Sequence, residues 1–295
     1  MHLSAHTWMR AERLETTLGR LARLGYASME ISGEPARYDI ADTRRQMDAH
    51  GIACWGAVTL TLGERNLAST DAARRARSVA YIRGVVRLAH DLGGKIVTVV
   101  PTTVGCVVPE ATPEEEWRWV VDGLREVNAL ADALGIRLAL EPLNRFETYF
   151  LNRCDQALAL ARAVGPSCGV CLDAFHMNIE EADMLAAIRA AGGRLADFHV
   201  ADNNRMAPGQ GTLDWPRIVA TLRETGYDGA LTVEFVAPID RTPANPYPDQ
   251  IETDPVDISP EQRKFIQDHG SSLLSDSFYT SLMAASARTL LPLIG

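Results

Sequence analysis

Four side chains between positions 141 and 234 of this 295-residue chain have the chemistry of a metal centre. Glu141 lies in LALEPLN, Asp173 in VCLDAFH, His199 in ADFHVAD and Glu234 in LTVEFV. Each ends, or nearly ends, a short apolar run of the kind that forms a buried strand. A charged group there is costly to bury unless it is paired or bound to a cation. Three carboxylates brought to one place carry a formal charge of about −3, and a divalent cation leaves about −1. Oxygen-rich ligation with one imidazole suits Mn²⁺, Mg²⁺ or Co²⁺ better than a metal that prefers thiolates, and Mn²⁺ is the first expectation. One strand-end carboxylate could equally be a salt-bridge partner. Four such residues in succession argue for a single site.

A fold that gathers four strand ends must position these groups. Short β-type runs occur at His2–Trp8, Ser28–Ser32, Ile52–Val58, Lys95–Val100, Arg137–Glu141, Gly169–Asp173, Leu195–Val200 and Ala230–Phe235. Between them the apolar spacing predicts helices at Leu14–Leu24, Ala72–Leu92, Pro113–Leu134, Cys154–Val164, Glu180–Ala191 and Trp215–Thr225. Several of these helices are followed by a glycine suited to a left-handed C-cap, such as Gly25, Gly135 and Gly226. Strands alternating with helices predict a parallel α/β sheet. Eight strands are the number that closes a (β/α)₈ TIM barrel. An open doubly wound sheet is the alternative, but no G-x-G-x-x-G follows the first strand. Length alone suggests two domains at roughly 150 residues each. A barrel of about 250 residues is one domain, so residues 1–295 are expected to form a single barrel domain.

The rhythm breaks after the eighth strand. Residues 237–268 contain six of the 15 prolines, which rules out a regular helix or central strand there. This insertion leads to a final predicted helix at Ser271–Leu291. Loops that follow barrel strands lie on the active-site face, so the insertion is expected to act as a lid or a partner-binding segment. At the same mouth, His6 ends the first strand and is a candidate pocket residue. Trp8, Trp55 and Phe175 are candidates for an apolar wall. The acidic run Glu114–Glu116 follows Pro113 at a helix start and complements the helix dipole.

Composition narrows the partners. Twenty-nine basic against 38 acidic residues give a net charge of −9. That balance lacks the footprint of a nucleic-acid binder and offers no attraction to an anionic membrane. No apolar run is long enough for a transmembrane helix, and the N-terminus has no signal-peptide pattern. Five cysteines, an odd count without a framework, suggest reduced thiols in a cytoplasmic protein. Cys168 and Cys171 are expected to be core residues rather than half of a zinc site.

The motifs EPLNRFETYFLN (Glu141–Asn152), LDAFHMNIEE (Leu172–Glu181), His199–Arg205 and GYDGALTVE (Gly226–Glu234) resemble those of ketose 3-epimerases of the D-tagatose/D-allulose type. These belong to the xylose-isomerase-like barrel superfamily. The resemblance is greatest over residues 137–236, and the first third of the chain shares only the strand–helix rhythm. It implies that Glu141, Asp173, His199 and Glu234 are metal ligands and that Glu141 and Glu234 are also the two catalytic carboxylates. It further implies that His176, Arg205 and Glu147 contact the substrate, and that the enzyme is a homo-oligomer acting on a sugar. The Pro-rich insertion and the residues His6, Trp8 and Trp55 depart from the family pattern. A second resemblance, to the catalytic subunit of C-glycoside deglycosidases, implies a lyase on 3-keto-glycosides with a small second subunit. A nuclease of the endonuclease IV type would need more metal ligands and a basic face.

Overall fold

Val-, Ile- and Leu-rich runs become the strands of the barrel wall, buried along most of their length because helices cover them outside and side chains fill them inside. The computed structural model describes residues 1–237 and 274–295, together with Ser259, Pro260 and Lys264. The Pro-rich insertion expected at 237–268 therefore lies almost wholly outside the described residues.

The strands are β1 (His2–Ala5), β2 (Ser28–Ser32), β3 (Ala53–Val58), β4 (Ile96–Val99), β5 (Arg137–Leu140), β6 (Gly169–Asp173), β7 (Leu195–Val200) and β8 (Ala230–Val233). All their ladders are parallel, in the order β1-β8-β7-β6-β5-β4-β3-β2. Between β1 and β2 the wall is joined by a bridge from His6 to Glu30. The Ala27 N–H also donates to the Leu3 carbonyl at 3.0 Å, and the Thr7 N–H to the Glu30 carbonyl at 3.0 Å. The result is a nearly closed (β/α)₈ TIM barrel, as the eightfold alternation predicts.

The described helices are α1 (Leu14–Arg23), α2 (Ile40–His50), α3 (Ala72–Asp91), α4 (Pro113–Ala133), α5 (Cys154–Val164), α6 (Ala174–Glu180), α7 (Met184–Ala191), α8 (Trp215–Glu224) and α9 (Asp276–Ile294). Two features differ from the sequence expectation. Helix α2 was not anticipated because IADTRRQMDAH is polar almost throughout and buries only Thr43 and Met47. Its start is fixed by Asp39, whose carboxylate accepts the Asp42 N–H at 2.8 Å. The helix expected at Glu180–Ala191 starts later, at Met184, because Asp183 caps α7 by accepting the Ala186 N–H at 3.0 Å, and the separate short helix α6 precedes it. At α4, Thr112 and Glu115 form a reciprocal capping box, in keeping with a structural role for the acidic run. Cys168 and Cys171 are buried and free of disulfides.

The C-terminal helix is clamped to the front of the barrel. Arg20 of α1 is 1% exposed. Its guanidinium donates to Glu12, to Asp276 Oδ1 at 2.6 Å and to Thr280 Oγ1 at 2.9 Å, and lies 4.9 Å over the Tyr279 ring. Removing Arg20 leaves the buried Glu12 carboxylate with less compensation, the usual reason a broken buried pair is so destabilising. Arg20→Ala is expected to lower stability by about 3 kcal/mol in urea unfolding. A loss under about 1 kcal/mol would mean that the pair behaves as a surface salt bridge.

Candidate active site

Barrel register sets the four metal-type side chains at one level. In the ladder of β6 with β7, Asp173 faces His199, and in that of β7 with β8, His199 faces Thr232. Glu141 and Glu234 each stand one residue past their strands. Their N–H groups donate to Val99 and Val200 carbonyls at 3.0 and 3.1 Å. The ligand atoms of Glu141, Asp173, His199 and Glu234 all lie within 4.8 Å of one another, and all four residues are buried. His199 Nδ1 is 3.0 Å from Glu141 Oε1 and 3.3 Å from Glu234 Oε2.

This donor set fits a divalent cation. It offers three carboxylates and one imidazole nitrogen, the ligation expected of Mn²⁺, Mg²⁺ or Co²⁺. Glu234 Oε2 is fully buried, yet it has no hydrogen-bond partner among the described residues. Without a cation, protons must relieve the crowding. Burial, and then the nearby Glu234 charge, push Asp173 well above the usual carboxylate range. Burial also pushes Glu141 up, although His199 opposes it. For His199, burial disfavours the cation, but the surrounding Cys171, Glu141, Glu30 and Asp197 outweigh it and hold the pKa well above the ordinary value. Burial would raise Glu234, but His6, His199 and Arg205 hold it below the usual range.

One oxygen of Asp173 caps α6 by accepting the His176 N–H at 2.8 Å. The D-x-x-H spacing therefore puts His176 in the first turn of α6, on the wall of the mouth. His176 Nδ1 accepts from the Asn144 backbone N–H at 3.1 Å and lies 2.9 Å from Asn144 Nδ2. A backbone N–H can only donate, so the ring proton sits on Nε2. Burial, and then Arg205, hold the pKa of His176 well below 6.5, so the ring is neutral.

Arg205 comes from the loop after β7 with φ at 58°, the only positive φ outside glycine among the described residues. Nη1 donates to Glu147 Oε1 at 2.6 Å, and the guanidinium lies 4.8 Å over the Phe175 ring. Asn144 Nδ2 donates to the same Glu147 oxygen at 2.9 Å. His176, Asn144, Glu147 and Arg205 thus form one connected wall. The Arg205 loop is held by Asp202, which accepts the backbone N–H groups of Asn203, Gly209 and Leu213 and the Trp215 indole N–H. Gly211 passes so close that a Cβ would meet Asp202 Oδ1 at 2.2 Å.

These groups line a cavity of about 320 Å³. Glu141, Glu234, His176, Arg205 and Glu147 give the lining its charged and imidazole groups. Much of the rest is apolar, with Trp8, Leu60, Val104 and Val236 contributing. Trp8 therefore joins the pocket as expected of an apolar wall. Phe175 supports Arg205 from behind. Trp55 lies elsewhere and donates its indole N–H to Asp197 Oδ1 at 3.0 Å inside the barrel. His6, expected as a pocket residue, is 1% exposed and stands against the cluster without being among the residues that line the cavity. Its ring packs edge-on against His199 at 4.5 Å, with Nε2 4.0 Å from Glu234 Oε1. Burial, and then His199, lower its pKa to about 3, so it is neutral.

Sequence reasoning missed Asn144, Asp202, Glu30 and Asp197. Asn144 stands three residues after Glu141 in the quoted motif, and Asp202 three after His199. Asp197 carried a usable signal: two residues before His199 in a strand, it must share the same face.

Comparison with known proteins agrees with this architecture. The chain is 32% identical over 228 residues to D-psicose 3-epimerase of Ruminiclostridium cellulolyticum, covering 73% of this chain and 75% of that one. It is 34% identical over 224 residues to L-ribulose 3-epimerase of Mesorhizobium japonicum, covering 75% of each chain. The solved structure of a D-psicose 3-epimerase with D-tagatose from Clostridium cellulolyticum H10 has a TM-score of 0.82 and 23% identity. It spans 100% of this chain and 99% of that one. Among the described residues no helix is long and apolar enough to cross a membrane. Residues 18–267 match the xylose isomerase-like TIM barrel profile, and the chain belongs to that family.

Proposed function

We propose that this chain is a divalent-metal-dependent ketose 3-epimerase that works through an enediolate. The observation that carries the reading is the convergence of Glu141 and Glu234, from strands three positions apart in the wall, on one cation-competent cluster beside the cavity. The similarity to D-psicose and L-ribulose 3-epimerases supports the substrate class. Glu141, Asp173, His199 and Glu234 would hold the cation, with Mn²⁺ favoured by the donor set. When bound, it supplies Lewis-acid stabilisation of negative charge beside the substrate carbonyl.

The remaining steps belong to the chain's own residues. One of the two carboxylates removes the proton from carbon 3, and the electron pair moves towards the carbonyl oxygen at carbon 2. The other, in its carboxylic acid form, delivers its proton to the opposite face of carbon 3, which inverts that carbon and leaves a carboxylate. His176 offers its Nε2–H, and Arg205 its guanidinium, to substrate oxygens, while Glu147 fixes the guanidinium. The lyase reading rests chiefly on the segment 237–268, which lies almost wholly outside the described residues, so the epimerase is preferred. We further infer that residues 1–295 form one barrel domain.

Two measurements test this. Proton NMR in D₂O with D-psicose, D-tagatose and L-ribulose, on the Mg²⁺-loaded protein, should show deuterium entering carbon 3 as the epimer appears. Glu141→Gln and Glu234→Gln should each lower turnover by at least about 100-fold. No exchange on any free ketose by a protein that holds its metal would overturn the epimerase and make 3-keto-glycosides the next substrates. The second measurement is proton release. His199, Asp173 and Glu141 have raised pKa values in the metal-free protein, and ligation requires them deprotonated. Metal uptake should therefore expel protons, and affinity should strengthen as pH rises. Calorimetry in buffers of different ionisation heat reads both, and a pH-independent affinity would contradict the protonated cluster.

A further inference from the structure

We propose that Asp197 is a positioning residue of the metal centre, holding the His199 ring so that Nδ1 faces the cluster and Nε2–H faces away. The inference rests on the metal reading above.

The two nitrogens of His199 face different neighbours. Nδ1 points at Glu141 and Glu234, whereas Nε2 is 3.0 Å from Asp197 Oδ2. Only Nδ1 can therefore meet a cation shared with the other three groups. An imidazole that gives its Nδ1 lone pair to a cation must carry its proton on Nε2. Left alone, the ring would be drawn the other way, because two carboxylates beside Nδ1 would hold a proton there. Asp197 competes for that proton from the opposite edge. A carboxylate in this position fixes the tautomer and ring orientation and raises the basicity of the ligating nitrogen.

Asp197 is itself held on every side. It is fully buried one layer below His199, since side chains two apart in a strand share a face. Oδ1 accepts from Trp55 of β3 at 3.0 Å, and Oδ2 accepts from Thr98 of β4 at 3.2 Å. Below His199 lies Glu30 of β2, its Oε2 3.6 Å from Nε2, and its Oε1 accepts from Thr232 of β8. Barrel interiors of this size are filled by Val, Ile and Leu when filling is all that is required. Here β2, β3, β4, β7 and β8 each place a hydrogen-bonding side chain in the same interior. An ionisable group so placed costs stability unless its partner gains by it, and the partner is the one nitrogen ligand.

The test compares wild type, Asp197→Asn and Trp55→Phe, which removes one donor that aims Asp197. Mn²⁺ and Co²⁺ affinities are measured on metal-free protein by competition with a chromogenic chelator, alongside thermal unfolding of the metal-free forms. Asp197→Asn should weaken binding about 10- to 100-fold, and Trp55→Phe should shift it the same way by less, with metal-free melting temperatures close to wild type. In the Co²⁺-loaded wild type, proton NMR should show one solvent-exchangeable, hyperfine-shifted ring N–H that moves in Asp197→Asn. If wild type takes up neither cation, the metal reading falls and this inference with it. If wild type binds and both variants bind within about twofold of it, only the role of Asp197 is overturned. Should Asp197→Asn not fold, Trp55→Phe carries the same decision.

Discussion

Like charge crowded in a dry place governs this molecule. Two carboxylates about 4 Å apart repel by about 4 kcal/mol at an effective dielectric near 20. Three mutual pairs would sum to about 12 kcal/mol, as large as the whole stability of a typical domain, about 5–15 kcal/mol. Glu141, Asp173 and Glu234 therefore cannot all be ionised in a folded barrel without positive charge among them. Protons meet that need in the raised carboxyls of Asp173 and Glu141 and in the cationic His199. A divalent cation would meet it better, since Glu234 also brings a buried oxygen that accepts no hydrogen bond among the described residues.

The same constraint explains why the mouth is built from linked parts. Arg205 is half-buried beside the cluster, where its charge offsets that of Glu234 and Asp173. A half-buried guanidinium needs partners of its own, and Glu147 and the Phe175 ring provide them. His176 is kept neutral by the same burial, so it adds a donor without adding charge. Asn144 ties the two halves together by bonding both His176 and Glu147. The backbone pays for this at Arg205, which sits in a left-handed conformation that Asp202 and the close pass of Gly211 hold in place.

Much of this was legible in the residues, for reasons that differ by position. The four cluster residues stood out because a charge at the end of an apolar run is a local anomaly, and a barrel turns strand ends into neighbours. The eight strands were legible because runs buried on both faces read as apolar without alternation. Helix α2 was not, because it buries too little to leave a periodic stripe. Glu30, Trp55 and Asp197 were not recognised as partners because they come from three strands far apart in the chain. Only the tilt and stagger of a closing sheet bring such positions together inside it. His6 stands just past β1, buried against His199 and Glu234, and is not among the residues that line the cavity.

The clamp around Arg20 has a bearing on how such a barrel can diversify. The chain leaves the wall at Ala237, which is buried, and the described chain resumes at Leu274, whose carbonyl accepts from Arg10. Both ends of the intervening stretch are thus held by the described barrel. For a segment between two fixed points, doubling its length costs only about 0.6 kcal/mol in closure entropy. A change of length between those two anchors is therefore a small cost to folding. Lineages carrying this barrel can lengthen or shorten that span with the barrel itself left out of the trade.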